Sequence, residues 1–384
     1  MRAKICAAAL GAALCWNLAV PALAAPVEIT APAAVLMDAA TGTVLVEENA
    51  HERLAPASVT KVMTLLLVIE ALDDGRISWD DKITTSATAA AKGGSQIYLE
   101  EGEQMSLRDM LKSVVVSSAN DCATALAEHV YGSETAFVEK MNERAQQLGM
   151  EDTHFVNCTG LDDGPDAAEH LTSAYDIAVM SRELLKHDAI REYTTIWMDT
   201  VRDGQFGLSN TNKLVRFYQG TTGLKTGYTS AAGYCLSASA EREGLELIAV
   251  VLHCASSTDR FSSAKALLDY GFANYCLVSP LPSEEIGPVA VELGAAETVP
   301  AALKSETPML LEKGKLSLVA HEVTLQQAVQ APVEQGQTLG SVRVTAGGEL
   351  LGEVPIVATE SVARLSWWNL ACRSLFALCA LGAA

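Results

Sequence analysis

The stretch that decides the fold is APASVTK at residues 55–61, which leads into the apolar run VMTLLLVIEAL at residues 62–72. This run predicts a buried helix over residues 59–72, ended by Asp-Asp-Gly. Helical spacing places Ser58 and Lys61 on one face, one turn apart. The serine would lie at the positive end of the helix dipole, and a desolvated lysine beside it would act as a general base. Alone, the pattern is more typical of a helix cap followed by a solvated lysine.

Two further short motifs change that interpretation. SAN at residues 118–120 stands at a predicted helix boundary, and KTG at residues 225–227 lies on a predicted strand. Each motif alone is common, as a turn or as a strand end. The spacing is 60 residues from Ser58 to Ser118 and 107 from Ser118 to Lys225. In this order the three motifs form the signature of penicillin-binding proteins and class A β-lactamases, which are acylated on the first serine.

Around these motifs the chain alternates strand-like and helix-like segments. Two pairs of β-rich runs are joined by turn signals, at residues 34–38 with 43–46 and at residues 233–240 with 245–254. Further helical patterns occupy residues 107–116, 121–130, 134–148 and 262–270. This order predicts an α+β domain with an antiparallel sheet.

The pattern changes at about residue 276. Prolines punctuate short alternating runs from there on, and these runs lie at residues 289–293, 316–319 and 341–344. Short alternating runs separated by turn residues are typical of β-strands. We therefore expect a small all-β domain over residues 278–360, after a catalytic domain over residues 25–277.

The first 24 residues have the features of a signal peptide. Arg2 and Lys4 precede an apolar run at residues 5–20, and Ala-Leu-Ala at residues 22–24 is a small-x-small cleavage pattern. We expect cleavage after Ala24 and export of the mature chain. The alternative is an uncleaved anchor helix.

The last segment, residues 361–384, predicts an amphipathic helix. Trp367 and Trp368 open it, and Arg373 shares a face with other polar residues. If the helix spanned a bilayer, Arg373 would lie near its centre at a cost of ~2.5–3.5 kcal/mol. We therefore expect a helix lying in the membrane interface; the alternative is a helix packed on the protein's own surface.

The charge balance excludes one class of partner. The 384 residues hold 27 Lys and Arg against 47 Asp and Glu, a net charge of -20. Nucleic-acid backbones require clustered cations, so we expect no nucleic-acid partner. No CxxC or HExxH spacing indicates a metal site, and none of the seven histidines is required by the motifs, so structural roles are expected for them.

The chain resembles the low-molecular-mass penicillin-binding proteins, specifically the D-alanyl-D-alanine carboxypeptidases of the serine peptidase S11 type. Besides the three motifs, the resemblance rests on MDAATG at residues 37–42, FVNCTGL at 155–161, LKTGYT at 224–229, RF at 260–261 and GEVP at 352–355. It implies a β-lactamase/transpeptidase-like fold without a cofactor. It also implies removal of the terminal D-alanine from peptidoglycan stem peptides, acylation by β-lactams, and a place on the outer face of the cytoplasmic membrane.

The resemblance also implies residue roles. Catalytic roles fall on Ser58 as nucleophile, Lys61 as its base and Ser118 as a proton relay. Substrate-binding roles fall on Asn120, Lys225, Thr226, Gly227, Tyr228 and Arg260. Lys225 with Thr226 would bind the terminal carboxylate, and the backbone N–H groups of Ser58 and Tyr228 would form the oxyanion hole. Arg260 either assists Lys225 or forms a structural ion pair.

Three other functions stay open on the sequence. A class A β-lactamase shares the motif spacing, but that class has aspartate where this chain has Ala119, and it lacks the residues after 277. A D,D-endopeptidase would act on cross-linked stems with the same residues. A non-catalytic cell-wall protein would keep the fold without the chemistry.

Tyr228, where several relatives have histidine, leaves the deacylation rate and the β-lactam preference open.

Overall fold

The computed structural model describes residues 27–369 and 371. The predicted signal peptide and most of the predicted C-terminal helix lie outside these residues. The helices up to residue 274 are α1 (Lys61–Asp73), α2 (Ala87–Ala90), α3 (Leu107–Ser117), α4 (Asn120–Tyr131), α5 (Glu134–Gln147), α6 (Ala174–Leu185), α7 (Asp188–Thr194), α8 (Leu214–Phe217) and α9 (Ser257–Asn274).

The strands up to residue 254 are β1 (Ala33–Asp38), β2 (Val44–Glu48), β3 (Lys82–Thr84), β4 (Gln104–Ser106), β5 (Met198–Val201), β6 (Phe206–Ser209), β7 (Thr221–Thr229), β8 (Gly233–Arg242) and β9 (Leu245–Cys254). Those that follow are β10 (Tyr275–Val278), β11 (Val289–Glu292), β12 (Thr298–Val299), β13 (Ala301–Leu303), β14 (Met309–Glu312), β15 (Val319–Leu325), β16 (Ala328–Gln330), β17 (Thr338–Ala346) and β18 (Glu349–Ala358).

The main sheet has five antiparallel strands in the order β2-β1-β9-β8-β7. Both predicted strand pairs are therefore confirmed, as is the α+β class. Alternate side chains of β1 serve two cores: Val35 packs in one with α1 and α6, and Leu36 packs in the other with α9. Because both faces of β1 are covered, all six of its residues are buried. β7, which carries the KTG motif, forms an edge of this sheet.

The predicted helices are present, with two changes at their starts. The chain from Ala57 to Thr60 forms a 3-10 turn, so α1 begins at Lys61 and not at residue 59. α9 begins at Ser257, five residues before the predicted start, because the Ser256 hydroxyl caps it by accepting from the Asp259 N–H. α1 is apolar on every side and almost fully buried, as expected of a helix inside a core.

A second, all-β part follows α9. β10 pairs with β14, and a four-stranded sheet has the order β13-β18-β17-β15 around a core of Val342, Val344 and Ile356. The prediction of a strand at residues 316–319 is wrong for its first three residues, because they complete a 3-10 helix over Lys313–Leu318. β15 begins at Val319.

Beyond β18 the structure describes residues 359–369 and 371. Trp367 and Trp368 are 86% and 77% exposed. Across residues 27–369 and 371, none of the helices has the length and apolar character needed to cross a membrane.

Candidate active site

The first motif places a serine and a lysine in direct contact. Ser58 lies on the 3-10 turn before α1, and Lys61 is the first residue of that helix. The Lys61 Nζ donates to Ser58 Oγ at 2.8 Å and to the Thr159 carbonyl at 2.8 Å. The lysine side chain is fully buried. The position of its amine beside the serine hydroxyl is therefore fixed by hydrogen bonds to protein atoms.

Burial changes the chemistry of this amine. Desolvation lowers the pKa of Lys61 to about 7, although the nearby Cys158 and Asp121 partly offset it. A base works best when its pKa lies near the working pH. About half of the Lys61 amines are then neutral at pH 7 and able to take the Ser58 proton.

The second motif joins two helices by a sharp turn. α3 ends at Ser117, Ser118 takes a left-handed conformation with φ +64°, and α4 begins at Asn120. The Ser118 Oγ and Asn120 Oδ1 atoms are buried without a hydrogen-bond partner among the residues that the structure describes. The Asn120 Nδ2 donates to the Gly93 carbonyl at 2.7 Å. Buried polar atoms normally have partners, so these two are available to a ligand.

The third motif lies on β7 and is tied to the second. The Thr226 hydroxyl donates to the Thr211 hydroxyl at 2.7 Å, and the Thr211 N–H donates to the Val116 carbonyl on α3 at 3.1 Å. Lys225 is 1% exposed. Burial and the neighbouring cations Lys61 and Arg260 hold its pKa well below the ordinary value. A carboxylate bound here would relieve that accumulation of positive charge.

Gly227 lets the edge strand approach the nucleophile. A Cβ at this residue would lie 2.6 Å from the Pro56 carbonyl oxygen and 3.1 Å from the Ser58 nitrogen. Only glycine leaves room for this approach. The next residue, Tyr228, is 56% exposed, and its ring lies 4.4 Å from that of Tyr234.

Arg260 supports the same strand from behind. Its Nη1 donates to the Gly227 carbonyl at 3.0 Å and to the Cys235 carbonyl at 3.3 Å. Its guanidinium also lies against the rings of Tyr234 and Phe261. Arg260 makes no ion pair with any residue in the described part of the chain, so the alternative of a structural ion pair is not found there.

Comparison with protein families identifies this arrangement. Residues 20–256 match the family model described as D-alanyl-D-alanine carboxypeptidase, peptidase S11. The chain belongs to this family. Residues 282–364 match the model described as penicillin-binding protein 5, C-terminal domain. Among the interpretations left open on the sequence, these matches favour the S11 carboxypeptidases over the class A β-lactamases.

Curated relatives support the assignment to the S11 family. The chain is 41% identical over 338 residues to D-alanyl-D-alanine carboxypeptidase DacF of Bacillus subtilis, covering 86% of each protein. It is 34% identical over 357 residues to DacD of Escherichia coli, covering 90% of each.

Solved structures of penicillin-binding proteins share all or part of this fold. Penicillin-binding protein 5 from Haemophilus influenzae matches with a TM-score of 0.73 and 32% identity, over 88% of this chain and 99% of that one. Penicillin-binding protein D2 from Listeria monocytogenes, in its ampicillin-bound form, matches with a TM-score of 0.59 and 33% identity, over 65% of this chain and all of that one.

Several residues of this S11 site were given no role by the sequence. The Thr159 carbonyl holds Lys61, and Thr211 links two motifs. Asp121, fully buried, accepts from the N–H groups of Ile97 and Leu99 and so fixes the loop beside Asn120. The FVNCTGL stretch was the available signal for Thr159. The roles of Thr211 and Asp121 depend on contacts with residues distant in the sequence, which leave no pattern in a single sequence.

Proposed function

We propose that this chain is a serine-type D-Ala-D-Ala carboxypeptidase in which Ser58 is the nucleophile and Lys61 its general base. One observation carries the proposal: the buried Lys61 amine, with its pKa lowered to about 7, lies 2.8 Å from the Ser58 hydroxyl. A serine hydroxyl is a weak nucleophile until a neighbouring base removes its proton.

The reaction then proceeds in two halves. Ser58 Oγ adds to the carbonyl carbon between the two D-alanines while its proton passes to Lys61. The C–N bond breaks, and the proton returns to the leaving amine through Ser118, whose buried Oγ has no other partner among the described residues. The ester left on Ser58 is cleaved by water, which restores the serine hydroxyl and releases the shortened stem.

The oxyanion formed in each half lies between the turn and the edge strand. The proposed donors are the N–H groups of Ser58 and Tyr228, and Gly227 permits the close approach of their two segments. Such donors typically stabilise the transition state by ~3–4 kcal/mol.

The terminal carboxylate of the substrate is the proposed ligand of Lys225 and Thr226. The Lys225 amine is buried without a carboxylate partner in the described part of the chain, and a bound carboxylate would favour its protonated form and pair with it. Arg260 would contribute indirectly, by donating to the Gly227 carbonyl and so holding the strand that carries Lys225 and Thr226. Asn120 would hold the backbone amide of the stem through its unpartnered Oδ1. Every exopeptidase substrate of this kind offers this carboxylate at its chain end, so removal of the terminal D-alanine is the reaction proposed.

We also propose acylation by β-lactams, whose ring carbonyl and carboxylate take the same places. Two solved relatives are ampicillin-bound and cefotaxime-bound forms of penicillin-binding protein D2. No cofactor is needed for this chemistry.

The proposed cellular place rests on the sequence of the two chain ends. Residues 1–24 would direct export and be removed, and residues 361–384 would hold the enzyme at the outer face of the cytoplasmic membrane. Between them we propose a catalytic domain, residues 25–277, and a β domain, residues 278–360, with β10 as the link between the two. The exposed rings of Trp367 and Trp368 are compatible with headgroup contact.

The deciding experiment is the release of D-alanine from a stem-peptide mimic, together with mass analysis of the penicillin-treated protein. We expect Ser58→Ala to abolish both the release and the adduct. Ser262→Ala, which changes an exposed serine on α9, is the matched control and should keep both. Full activity of Ser58→Ala would refute the assignment, and rapid turnover of the penicillin adduct would indicate a β-lactamase instead.

A further inference from the structure

A buried hydrogen-bonded chain leads from His170 to the turn that carries Ser58. His170 is 3% exposed, and its Nε2 lies 2.7 Å from the Thr60 hydroxyl oxygen. Thr60 is fully buried, and its hydroxyl donates to the Ala57 carbonyl at 2.8 Å. The chain therefore ends on the backbone of the residue directly before Ser58.

The direction of each hydrogen bond is determined by its neighbours. The Val156 N–H donates to His170 Nδ1 at 3.0 Å, so Nδ1 is an acceptor and the ring proton of a neutral imidazole is on Nε2. Nε2 then donates to Thr60 Oγ1, which has one proton of its own to give to Ala57. Burial, with smaller electrostatic contributions from His154 and Lys61, lowers the pKa of His170 to about 4. The ring is thus neutral at neutral pH.

The accepting carbonyl belongs to a strained residue. Ala57 has φ +49°, a left-handed conformation that alanine rarely adopts. Such a residue keeps this conformation only where its surroundings hold it. Gly160 packs against this carbonyl and the Thr60 hydroxyl, since a Cβ at residue 160 would lie 1.8 Å from the Ala57 oxygen and 2.8 Å from Thr60 Oγ1.

His170 also fixes the segment that holds the base. Its partner Val156 lies three residues before Thr159, whose carbonyl accepts from Lys61. One side chain therefore connects the backbone that carries the nucleophile to the backbone that orients the general base.

We propose that His170 and Thr60 are positioning residues, which hold the strained Ser58 turn and the Lys61-binding segment in the geometry needed for acylation. Neither side chain is placed in contact with substrate. This inference rests on the proposed function, since it assumes that Ser58 is the group acylated.

The test measures the rate of Ser58 acylation by a fluorescent penicillin in the full chain. Thr60→Val removes the hydroxyl while keeping the shape, and Thr60→Ser keeps the hydroxyl. We expect Thr60→Val to slow acylation about tenfold to a hundredfold, as a small misplacement of reacting groups does, and Thr60→Ser to stay within about threefold of the unchanged protein. KM for a stem-peptide mimic should be unchanged and kcat lowered, because the substrate contacts are intact.

A second pair of variants tests the other end of the chain. His170→Gln keeps a donor toward Thr60 but loses the planar ring that also accepts from Val156, so we expect a loss of the same size. His154→Gln, an exposed histidine on the same segment, is the matched control and should acylate normally. Combining Thr60→Val with His170→Gln should cost no more than the larger single loss, since both break one chain. If Thr60→Val does not fold, His170→Gln against His154→Gln carries the test.

The outcomes are distinguishable. Acylation by Thr60→Val and His170→Gln at the unchanged rate would overturn the positioning role. Slow acylation would also overturn it if the final labelled fraction and the melting temperature fell together with the rate. Such a result would mean that the variants only lose folded protein. Labelling of Ser58→Ala would instead overturn the proposed function itself.

Discussion

Replacing Lys61 with arginine keeps a cation beside Ser58 but removes the group that can lose its proton. Burial lowers the pKa of Lys61 from 10.5 to about 7. A lowering of this size corresponds to about 5 kcal/mol. At pH 7 it raises the neutral fraction of the amine by about three orders of magnitude. A guanidinium stays protonated at any working pH and offers no such neutral form.

We therefore expect Lys61→Arg to slow the acylation of Ser58 by about 10²–10⁴-fold, the usual contribution of a general base. The unchanged enzyme should acylate faster as the pH rises, about tenfold per unit below pH 7, with a plateau above it. The arginine variant should show no inflection near pH 7.

The assay is the second-order rate constant of labelling by a fluorescent penicillin between pH 5 and 9. Lys92→Arg is the control, because Lys92 is a partly buried lysine paired with Glu134 and lies outside the proposed machinery. It should keep both the rate and the profile. If Lys61→Arg kept the full rate with an inflection near pH 7, the assignment of Lys61 as the base would be wrong.

Three further predictions concern buried groups of the site. Lys61→Met should raise the free energy of unfolding at pH 7 by about 2–3 kcal/mol, because removal of the buried cation outweighs two lost hydrogen bonds. The gain should shrink as the pH approaches 10.5, where the lysine of the unfolded chain also loses its proton. Thermal melting measured across this pH range checks both statements. Gly227→Ala should cost about 1–3 kcal/mol and most of the acylation rate, because its Cβ would lie 2.6 Å from the Pro56 oxygen. Asp121→Asn should lower stability by about 1–3 kcal/mol in melting experiments, since an amide cannot accept from all the N–H groups around it. It should also move the inflection of the acylation rate to lower pH, because a charge that raises the pKa of Lys61 is removed. An unchanged inflection would contradict this.

Much of the architecture was predictable because its signals are local. The turn residues between β1 and β2 and between β8 and β9 indicated both strand pairs, and apolar periodicity indicated α3, α4 and α5. The start of α9 at Ser257 differs from the predicted residue 262, because the Ser256 cap extends the helix beyond the residues with apolar periodicity. The run at residues 316–319 alternates like a strand, but residues 313–318 close into a 3-10 helix.

The candidate site was predictable to the extent that motifs record it. Spacing alone brought Ser58 and Lys61 to one helix face, and the structure places their polar atoms in contact. The contributions of Thr159 and Ala57 are made by backbone carbonyls, which any residue supplies, so no side-chain pattern reveals them. His170 was expected to be structural because no motif names it, and its partner Thr60 is 110 residues away along the chain.

The two glycines that face the nucleophile's turn restrict how this enzyme can adapt to antibiotics. Gly160 and Gly227 have no space for even a methyl group, so almost every change there removes the natural activity together with drug sensitivity. Tyr228 is different, because its ring is more than half exposed and follows Gly227 directly. Selection for altered drug turnover should therefore accumulate substitutions at Tyr228, while Gly160 and Gly227 stay unchanged.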